Sequence, residues 1–221
     1  LTNGQKWLEN KAPVTMKIGA LTINSADNAQ EAGSGYFRRD LGTPQQGMES
    51  VAVQNNGTTP VWGAVYHSFT EQFDAIKPWQ DELAVKRELF DVVSTEKGEF
   101  LKAINNDTKL EKGARVQVRL TISSKRNIDF VALTSPHAAC FEPVEQLSGY
   151  TWAGGASYYK EVHDTEHRFF FDNIKKGDVV IIYNLFVERQ GTYNAGAAKI
   201  QSIYAPEFGA NSAGYRIKVE K

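Results

Sequence analysis

With 221 residues, the chain is long enough for one large domain or two small ones, and either could bury a core of its own. Its 25 basic and 26 acidic residues balance, which argues against a general affinity for nucleic acid or for an anionic membrane. The single cysteine, Cys140, excludes an internal disulfide and a cysteine-based zinc site, and no apolar stretch is long enough to span a bilayer.

Short runs of β-branched and aromatic residues recur along the chain with period-two alternation, separated by clusters of Gly, Asn, Asp and Pro. The first part of the chain predicts four strands, at residues 14–19, 35–41, 50–54 and 61–70. Only residues 70–76 have a weakly helical pattern, enough for a turn or two.

The second part predicts eight strands, at residues 83–93, 115–123, 130–133, 158–163, 166–171, 178–188, 192–204 and 215–219. The clearest alternation places Val116, Val118, Leu120 and Ile122 on one face of a strand and polar residues on the other. A dozen short strands without alternating helices predict an all-β protein with two β-sandwich domains.

A domain boundary is predicted near Pro78, because residues 73–78 break the strand pattern and a new run of strand residues begins at Trp79. We therefore expect two domains, 1–78 and 79–221. The first contains only four or five predicted strands, which is few for a sandwich, so we expect its partner strands to come from elsewhere in a longer parent chain.

Histidines are the first candidates for chemistry. His163 and His167 have the His-x3-His spacing that binds zinc on a helix. Their flanks predict strands, on which the rings would lie roughly 13 Å apart at ~3.3 Å per residue, too far for one ion. A tight turn between them could still bring the rings together, but we favour a solvated hairpin tip and predict no metal site. His67 and His137 lack acidic or cysteine partners nearby in sequence, and we expect them at the surface or at an interface.

Cys140 is the one candidate for covalent catalysis, with His137 close enough in sequence to be its base. A catalytic thiolate needs a lowered pKa, and the apolar neighbours of Cys140 suit a small buried core residue better. The sequence contains no nucleophile elbow and no glycine-rich phosphate loop. We therefore predict a protein without catalytic residues and without a cofactor.

Two large aromatic residues, Tyr150 and Trp152, lie in the glycine-rich segment 149–155, which predicts a surface loop. Exposed loops of this kind often contact partners. Simple local packing is the favoured role of these two residues, and the alternatives are a contact with another protein domain and a sugar-stacking platform.

The second part of the chain resembles the C-terminal macroglobulin-like domain of bacterial alpha-2-macroglobulins, a sandwich locally similar to fibronectin III. The resemblance begins with Leu110-Glu-Lys-Gly-Ala-Arg-Val-Gln-Val118 and continues with Ala138-Ala-Cys-Phe-Glu-Pro143, where the family usually has glycine instead of Cys140. It ends with Ile203-Tyr-Ala-Pro-Glu207, after intermediate matches at 159–164, 169–171, 176–177 and 191–193.

The first part resembles the same family more loosely. Residues 7–10 resemble the end of the last helix of a thioester domain, and residues 14–77 resemble the second half of the CUB-like domain that the thioester domain interrupts. The resemblance implies a partial CUB-like domain at 1–78, which would account for the small number of strands predicted there.

The resemblance implies a non-enzymatic C-terminal scaffold segment of a large protease trap, periplasmic or anchored in the cell envelope. Its implied partners are the other domains of the parent chain and, through the parent, target proteases; neither nucleic-acid binding nor membrane insertion is implied. In the family the last domain packs over the thioester, with a Met-Tyr pair near that contact. Here the pair is Ile203 and Tyr204, so an inter-domain contact is the implied role. The alternative function is a carbohydrate-binding or adhesin-type sandwich.

The local sequence pattern predicts a different environment for Ile203 and Tyr204 from the one that the resemblance implies. Side chains alternate along a strand, so Ile203 and Tyr204 fall on opposite faces, and Pro206 ends the strand. We favour Ile203 filling the core with Tyr204 capping it, and the alternative is that one of the two faces outward to bind another domain.

Overall fold

The structure, a computed structural model, describes residues 13–220, so the helix end predicted at 7–10 lies outside the described residues. The regular elements of the described chain are all β-strands except two short 3-10 turns, Ser25–Asp27 and Phe73–Ala75. The all-β prediction is confirmed. The chain divides into two compact units, Leu1–Ser68 and Phe69–Lys221.

The first unit contains one antiparallel sheet with the order β2-β1-β3. Its strands are β1 (Val14–Ile18), β2 (Leu21–Asn24) and β3 (Val51–Asn55). Alternation places Ile18, Ile23, Val51 and Val53 on one face, since Met16 pairs with both Ile23 and Val53. Ile18 and Ile23 are buried there, whereas Val51 and Val53 are exposed on the strand at the edge of the sheet.

Two strands predicted for the first unit, at 35–41 and 61–70, are wrong: both segments are irregular and exposed. A strand persists only where a neighbour completes its backbone hydrogen bonds. In the described part of the first unit neither segment has such a neighbour.

The second unit is a sandwich of a six-stranded and a five-stranded sheet, with a small three-stranded sheet beside them. The six-stranded order is β10-β11-β12-β8-β15-β16, the five-stranded order is β5-β4-β7-β13-β9, and the small sheet is β14-β17-β6. The strands are β4 (Leu83–Thr95), β5 (Gly98–Ala103), β6 (Lys109–Glu111), β7 (Arg115–Ser124), β8 (Ile128–Pro136), β9 (Phe141–Pro143), β10 (Gly149–Ala153), β11 (Ala156–Val162), β12 (Glu166–Ile174), β13 (Gly177–Val187), β14 (Gly191–Ala195), β15 (Lys199–Ser202), β16 (Gly209–Asn211) and β17 (Tyr215–Glu220).

The inward faces of the two large sheets build one continuous apolar core. On β7, the predicted apolar face is fully buried at Val116, Val118, Leu120 and Ile122, while the residues between them stay partly accessible. The alternation predicted from the sequence is therefore confirmed. β7 is the central strand of the five-stranded sheet.

Residues 69–78, which the sequence analysis assigned to the first domain, belong to the second compact unit. The amide of Gly214 donates to the carbonyl oxygen of Ile76 (3.0 Å), and Arg216 on β17 forms an ion pair with Asp74 in the 3-10 turn. These contacts attach the segment to the small sheet.

Arg87 on β4 connects three separate parts of the second unit. Its guanidinium donates to the carbonyl oxygens of Pro136 (2.9 Å), Gly196 (2.6 Å) and Ala213 (3.2 Å), and it lies 4.3 Å from the centre of the Tyr215 ring. Burial lowers the pKa of this guanidinium. Because charged donors form the stronger hydrogen bonds, Arg87 fixes the ends of β8, β14 and the segment before β17 together.

Candidate functional site

Ile203 and Tyr204 both lie outside the core. β15 ends at Ser202, with Ile200 and Ser202 buried, and the next two side chains are 54% and 78% exposed. The favoured expectation that Ile203 fills the core is therefore wrong. The core position on this strand is occupied by Ile200, and the next inward position takes a small serine, so alternation turns Ile203 outward.

Phe130 on β8 supports this exposed pair, a role that no motif in the sequence indicates. Its ring meets that of Tyr204 edge-on at 5.3 Å, and its carbonyl accepts a hydrogen bond from the amide of Ile203 (2.8 Å). Phe130 has φ +51°, the left-handed region that a bulky aromatic residue rarely adopts. Such strain persists only where the surroundings hold it, and it concentrates at functional sites.

Tyr150 and Trp152 lie on a strand, and the loop predicted at 149–155 is wrong. β10 is the outermost strand of the six-stranded sheet, and it pairs with β11 through a two-residue turn at Gly154 and Gly155, both with positive φ. Tyr150 and Trp152 alternate with residues that face the sandwich, so they share one face and are 82% and 76% exposed. The glycines that suggested a loop form only the turn.

A cross-strand row joins the two aromatic sites. The neighbours in register across five strands are Tyr150, Tyr159, Phe170, Ala132 and Gln201. Trp152 lies two residues after Tyr150 along the chain, and Ile203 lies two residues after Gln201. Residues two positions apart in an extended chain project from the same side, so both side chains lie on the same face of the six-stranded sheet as the row. We call this surface, with Phe130 and Tyr204 at its far end, the aromatic face. The structure thus brings together site residues that are fifty positions apart in sequence.

The tight turn predicted between His163 and His167 is present, with the amide of His163 donating to the carbonyl of Glu166 (3.0 Å). The two histidines do not share a solvated tip, however. His163 is exposed, but His167 is 1% exposed, because the alternation of β12 turns it inward together with Phe169 and Phe171. The prediction of a solvated pair is therefore wrong for His167.

His137, expected at the surface or at an interface, is also buried within the second unit, at 8% exposure just beyond the end of β8, whereas His67 is exposed. The rings of His137 and His167 lie 5.8 Å apart. Across residues 13–220, no group of three His, Cys, Asp or Glu side chains is placed to hold a metal ion. The two rings alone do not make an ordinary zinc site, which has at least three protein ligands.

Cys140 is a buried core residue, as predicted. Its side chain has no exposed surface, and burial raises the pKa of its thiol to about 11. A thiol with a raised pKa is a poor nucleophile at neutral pH. Among the described helical turns, none is long and apolar enough to cross a membrane.

Comparison with known proteins gives one family and several related folds. The family model for the bacterial alpha-2-macroglobulin MG10 domain matches residues 83–207. A mutant of Salmonella alpha-2-macroglobulin is 18% identical, with a TM-score of 0.54, and the alignment covers 95% of this chain and 13% of that one.

Escherichia coli proteins are similar in the same way. Trypsin-activated alpha-2-macroglobulin is 14% identical, with a TM-score of 0.52 and coverage of 95% of this chain and 14% of that chain. A native form spanning domain MG7 to the C-terminus is 12% identical, with a TM-score of 0.52 and coverage of 95% and 33%. No curated protein sequence matches the chain.

The chain spans 13 to 33% of the length of these solved relatives, and its similarity to them is one of fold.

Proposed function

This chain belongs to the bacterial alpha-2-macroglobulin family, and on that premise we propose that it is a non-enzymatic C-terminal scaffold segment of a protease-trapping protein. Two E. coli relatives are described as activated by trypsin and by porcine elastase, which supports proteases as partners of the parent protein. Since the chain corresponds to a small part of such relatives, the remaining domains of the parent chain are its immediate partners.

The observation that carries the proposal is the aromatic face. Large apolar side chains clustered on the surface of a soluble domain mark an interaction site. Ile203 and Tyr204, supported by Phe130, form the first proposed contact with another domain of the parent, and Tyr150 and Trp152 form the second. Aromatic residues are the usual energetic anchors of such contacts.

The first unit supports the same assignment. Among the described strands β3 lies at the edge of its sheet with Val51 and Val53 exposed, so this part of the unit offers both an apolar surface and an edge for further strands. We propose that the first unit is part of a CUB-like domain completed by the parent chain, and that residues 79–221 are the macroglobulin-like domain, on which residues 69–78 pack. A periplasmic or envelope-anchored location is part of the proposal, from the family resemblance.

The proposal is tested in the full parent protein with Tyr204→Ala and Ile203→Ala. After exposure to trypsin, a trapped protease still cleaves a small peptide but is shielded from a large protein substrate. We expect the variants to lose a substantial part of this shielding, because a buried aromatic anchor contributes on the order of 2 kcal/mol to an interface.

Phe100→Ala on β5 is the matched control, because Phe100 is an exposed aromatic residue on the other sheet. It should leave shielding unchanged. Equal shielding in the Tyr204 and Ile203 variants and in the control would contradict the proposed contact.

A second function, glycan binding, is favoured by one observation: Tyr150 and Trp152 present two exposed rings on one face of an edge strand. Tyr159 meets Tyr150 edge-on at 5.1 Å and so fixes the orientation of its ring. Stacking on sugar rings would then weaken in Trp152→Ala while the fold is kept. Affinity electrophoresis in soluble polysaccharides separates the two functions, because retardation of the isolated chain that Trp152→Ala abolishes supports glycan binding.

A further inference from the structure

Two buried histidine rings in the second unit lack the partners that buried polar groups normally have. His137 follows β8 and His167 lies near the start of β12, and their ring centres are 5.8 Å apart. Both ring nitrogens of His137 and Nδ1 of His167 are buried without a hydrogen-bond partner. Most buried side-chain polar atoms in proteins are hydrogen-bonded, so three such atoms in one place call for an explanation.

The surroundings of the pair favour uncharged rings. The His167 ring stacks on Tyr183 at 4.1 Å and on Phe169 at 6.2 Å, and the Tyr183 hydroxyl is 2.9 Å from that of Ser135. Burial, with smaller contributions from His137, Lys160 and His163, lowers the pKa of His167 to about 3. Burial also lowers the pKa of His137.

The charged and titratable groups that face the pair come from several elements. The charges of Arg87, Lys160 and His163 oppose protonation, whereas the backbone of Ala138 and of His163 and the carboxylate of Glu166 favour it at His137. The phenols of Tyr183 and Tyr215 stay neutral, because burial raises the pKa of both. No carboxylate of the described residues accepts a hydrogen bond from either nitrogen of His137 or from Nδ1 of His167.

The segment that carries His137 is held at its far end by the carbonyl of Cys140, which accepts a hydrogen bond from the amide of Glu188 (2.7 Å), and at its near end by two further bonds. The amide of His137 donates to the carbonyl of Thr165 in the β11–β12 turn (3.0 Å), and the amide of Ala138 donates to the hydroxyl of Tyr215 (3.3 Å). A surface cavity of about 570 Å³ lies beside them, lined by His137, His163 and Thr165 among others. Residues 137–140 lie between β8 and β9, so their separation from the β11–β12 turn breaks the bonds to Thr165 and Tyr215 and uncovers the buried Ala138 and Cys140, but it breaks no strand pairing of either large sheet.

We propose that the His137–His167 pair makes this corner of the second unit acid-sensitive: protonation of either ring separates residues 137–140 from the β11–β12 turn. In the closed state the two rings pack as neutral aromatic groups. In the open state each ring reaches water, where its unpaired nitrogens are solvated and the imidazolium is stable.

The direction of the pH effect follows from the linkage between protonation of the histidines and opening of the corner. Each histidine has a lower pKa in the closed state than in the open state, so its contribution to stability is complete above about pH 6.5 and is lost as the pH falls toward the closed-state pKa. For His167 that interval runs from about 6.5 to about 3. His167 alone raises the opening equilibrium roughly thirtyfold at pH 5 compared with pH 7.5, and His137 raises it further, because its pKa is also lowered in the closed state.

Cys140, the only cysteine of the chain, reports the opening because it is buried and lies in the segment that moves. The full 221-residue chain is labelled with an aromatic disulfide reagent that reacts in acid, between pH 7.5 and 5.0. The rate is divided by that of the urea-unfolded chain at each pH, which removes the intrinsic pH dependence of the thiol. We expect this ratio to rise at least about thirtyfold as the pH falls.

His167→Phe and His137→Phe each keep an aromatic ring but remove one titrating group, so His167→Phe should reduce the rise about tenfold or more and His137→Phe should reduce it as well. His163→Gln is the control, because it removes an exposed histidine of the same turn, and it should leave the rise within about threefold. An absent rise in the unmodified chain, or an equal rise in all three variants, overturns the proposal.

Hydrogen exchange of the unmodified chain provides a test that does not depend on the variants folding. After correction for intrinsic exchange, the amide of His137 should lose protection between pH 7.5 and 5, while that of Val118 at the centre of β7 keeps it. An equal loss at both amides means global unfolding and overturns the proposal of a local opening.

Discussion

The two units of the chain use the same secondary structure but bury very different amounts of it. In the described part of the first unit, only Ile18 and Ile23 are buried apolar residues, on a single three-stranded sheet. The second unit encloses a continuous core between two large sheets. Strand formation alone therefore does not make a self-sufficient domain, because stability depends on the apolar area that two layers bury between them.

The largest difference in stability between the two units is expected when each is expressed separately. Residues 69–221 expressed alone should unfold cooperatively, because they hold the whole core and the contacts of Asp74 and Ile76 with the small sheet. Residues 1–68 alone should aggregate or stay loosely structured, since β3 presents an open apolar edge. Calorimetry and sedimentation test this, and a soluble 1–68 fragment with a cooperative transition would contradict it.

Gly154→Ala is expected to have the next largest effect. A Cβ at this position would lie 1.9 Å from the carbonyl oxygen of Val180 on β13, and φ is +61°. Backbone must move to relieve the overlap, so we expect a loss of roughly 3 kcal/mol in the free energy of unfolding. Denaturation in urea measures it.

Gly155→Ala is the matched control for the same turn. Its φ is also positive, at +84°, but a Cβ there meets no atom within 4 Å. It should lose only the backbone contribution, about 1 kcal/mol. Equal losses at the two glycines would show that the β10–β11 turn does not pack tightly on β13.

The smallest effect is expected for Tyr204→Ala in the isolated chain. Tyr204 is 78% exposed and touches Phe130 only edge-on, so the free energy of unfolding should change by less than about 1 kcal/mol. Equilibrium unfolding tests it, with Leu120→Ala as the contrasting core substitution, expected to cost about 2–5 kcal/mol. A comparable loss for Tyr204→Ala would assign the residue to the fold and remove it from the proposed contact.

Several features of the second unit could be predicted from the sequence because they depend on local pattern. The period-two alternation of β7, the tight turn before His167 and the burial of Cys140 are all present. The resemblance to bacterial alpha-2-macroglobulins is confirmed over residues 83–207. The domain boundary at Pro78 and the contact role of Ile203, Tyr204, Tyr150 and Trp152 remain predictions.

Other features were misjudged where the outcome depends on neighbours in space. The predicted strand 192–204 is divided into β14 and β15, which lie in different sheets, and the short strands β5, β6, β9, β10 and β16 gave too little pattern to be recognised. The burial of His167 could have been found from its period-two spacing with Phe169 and Phe171. The left-handed conformation of Phe130 could not, because no feature of a phenylalanine indicates it.

The sequence by itself determined that this protein is all-β and which residues of its long strands face inward, because side-chain alternation along a strand is a local property of the backbone. Tertiary structure decided which edges found partners, that Ile203 and Tyr204 face water, and that two histidines lie unpaired in the interior. Each of these depends on strands distant in sequence, since a neighbouring strand both completes the backbone hydrogen bonds and determines which side chains are shielded from water.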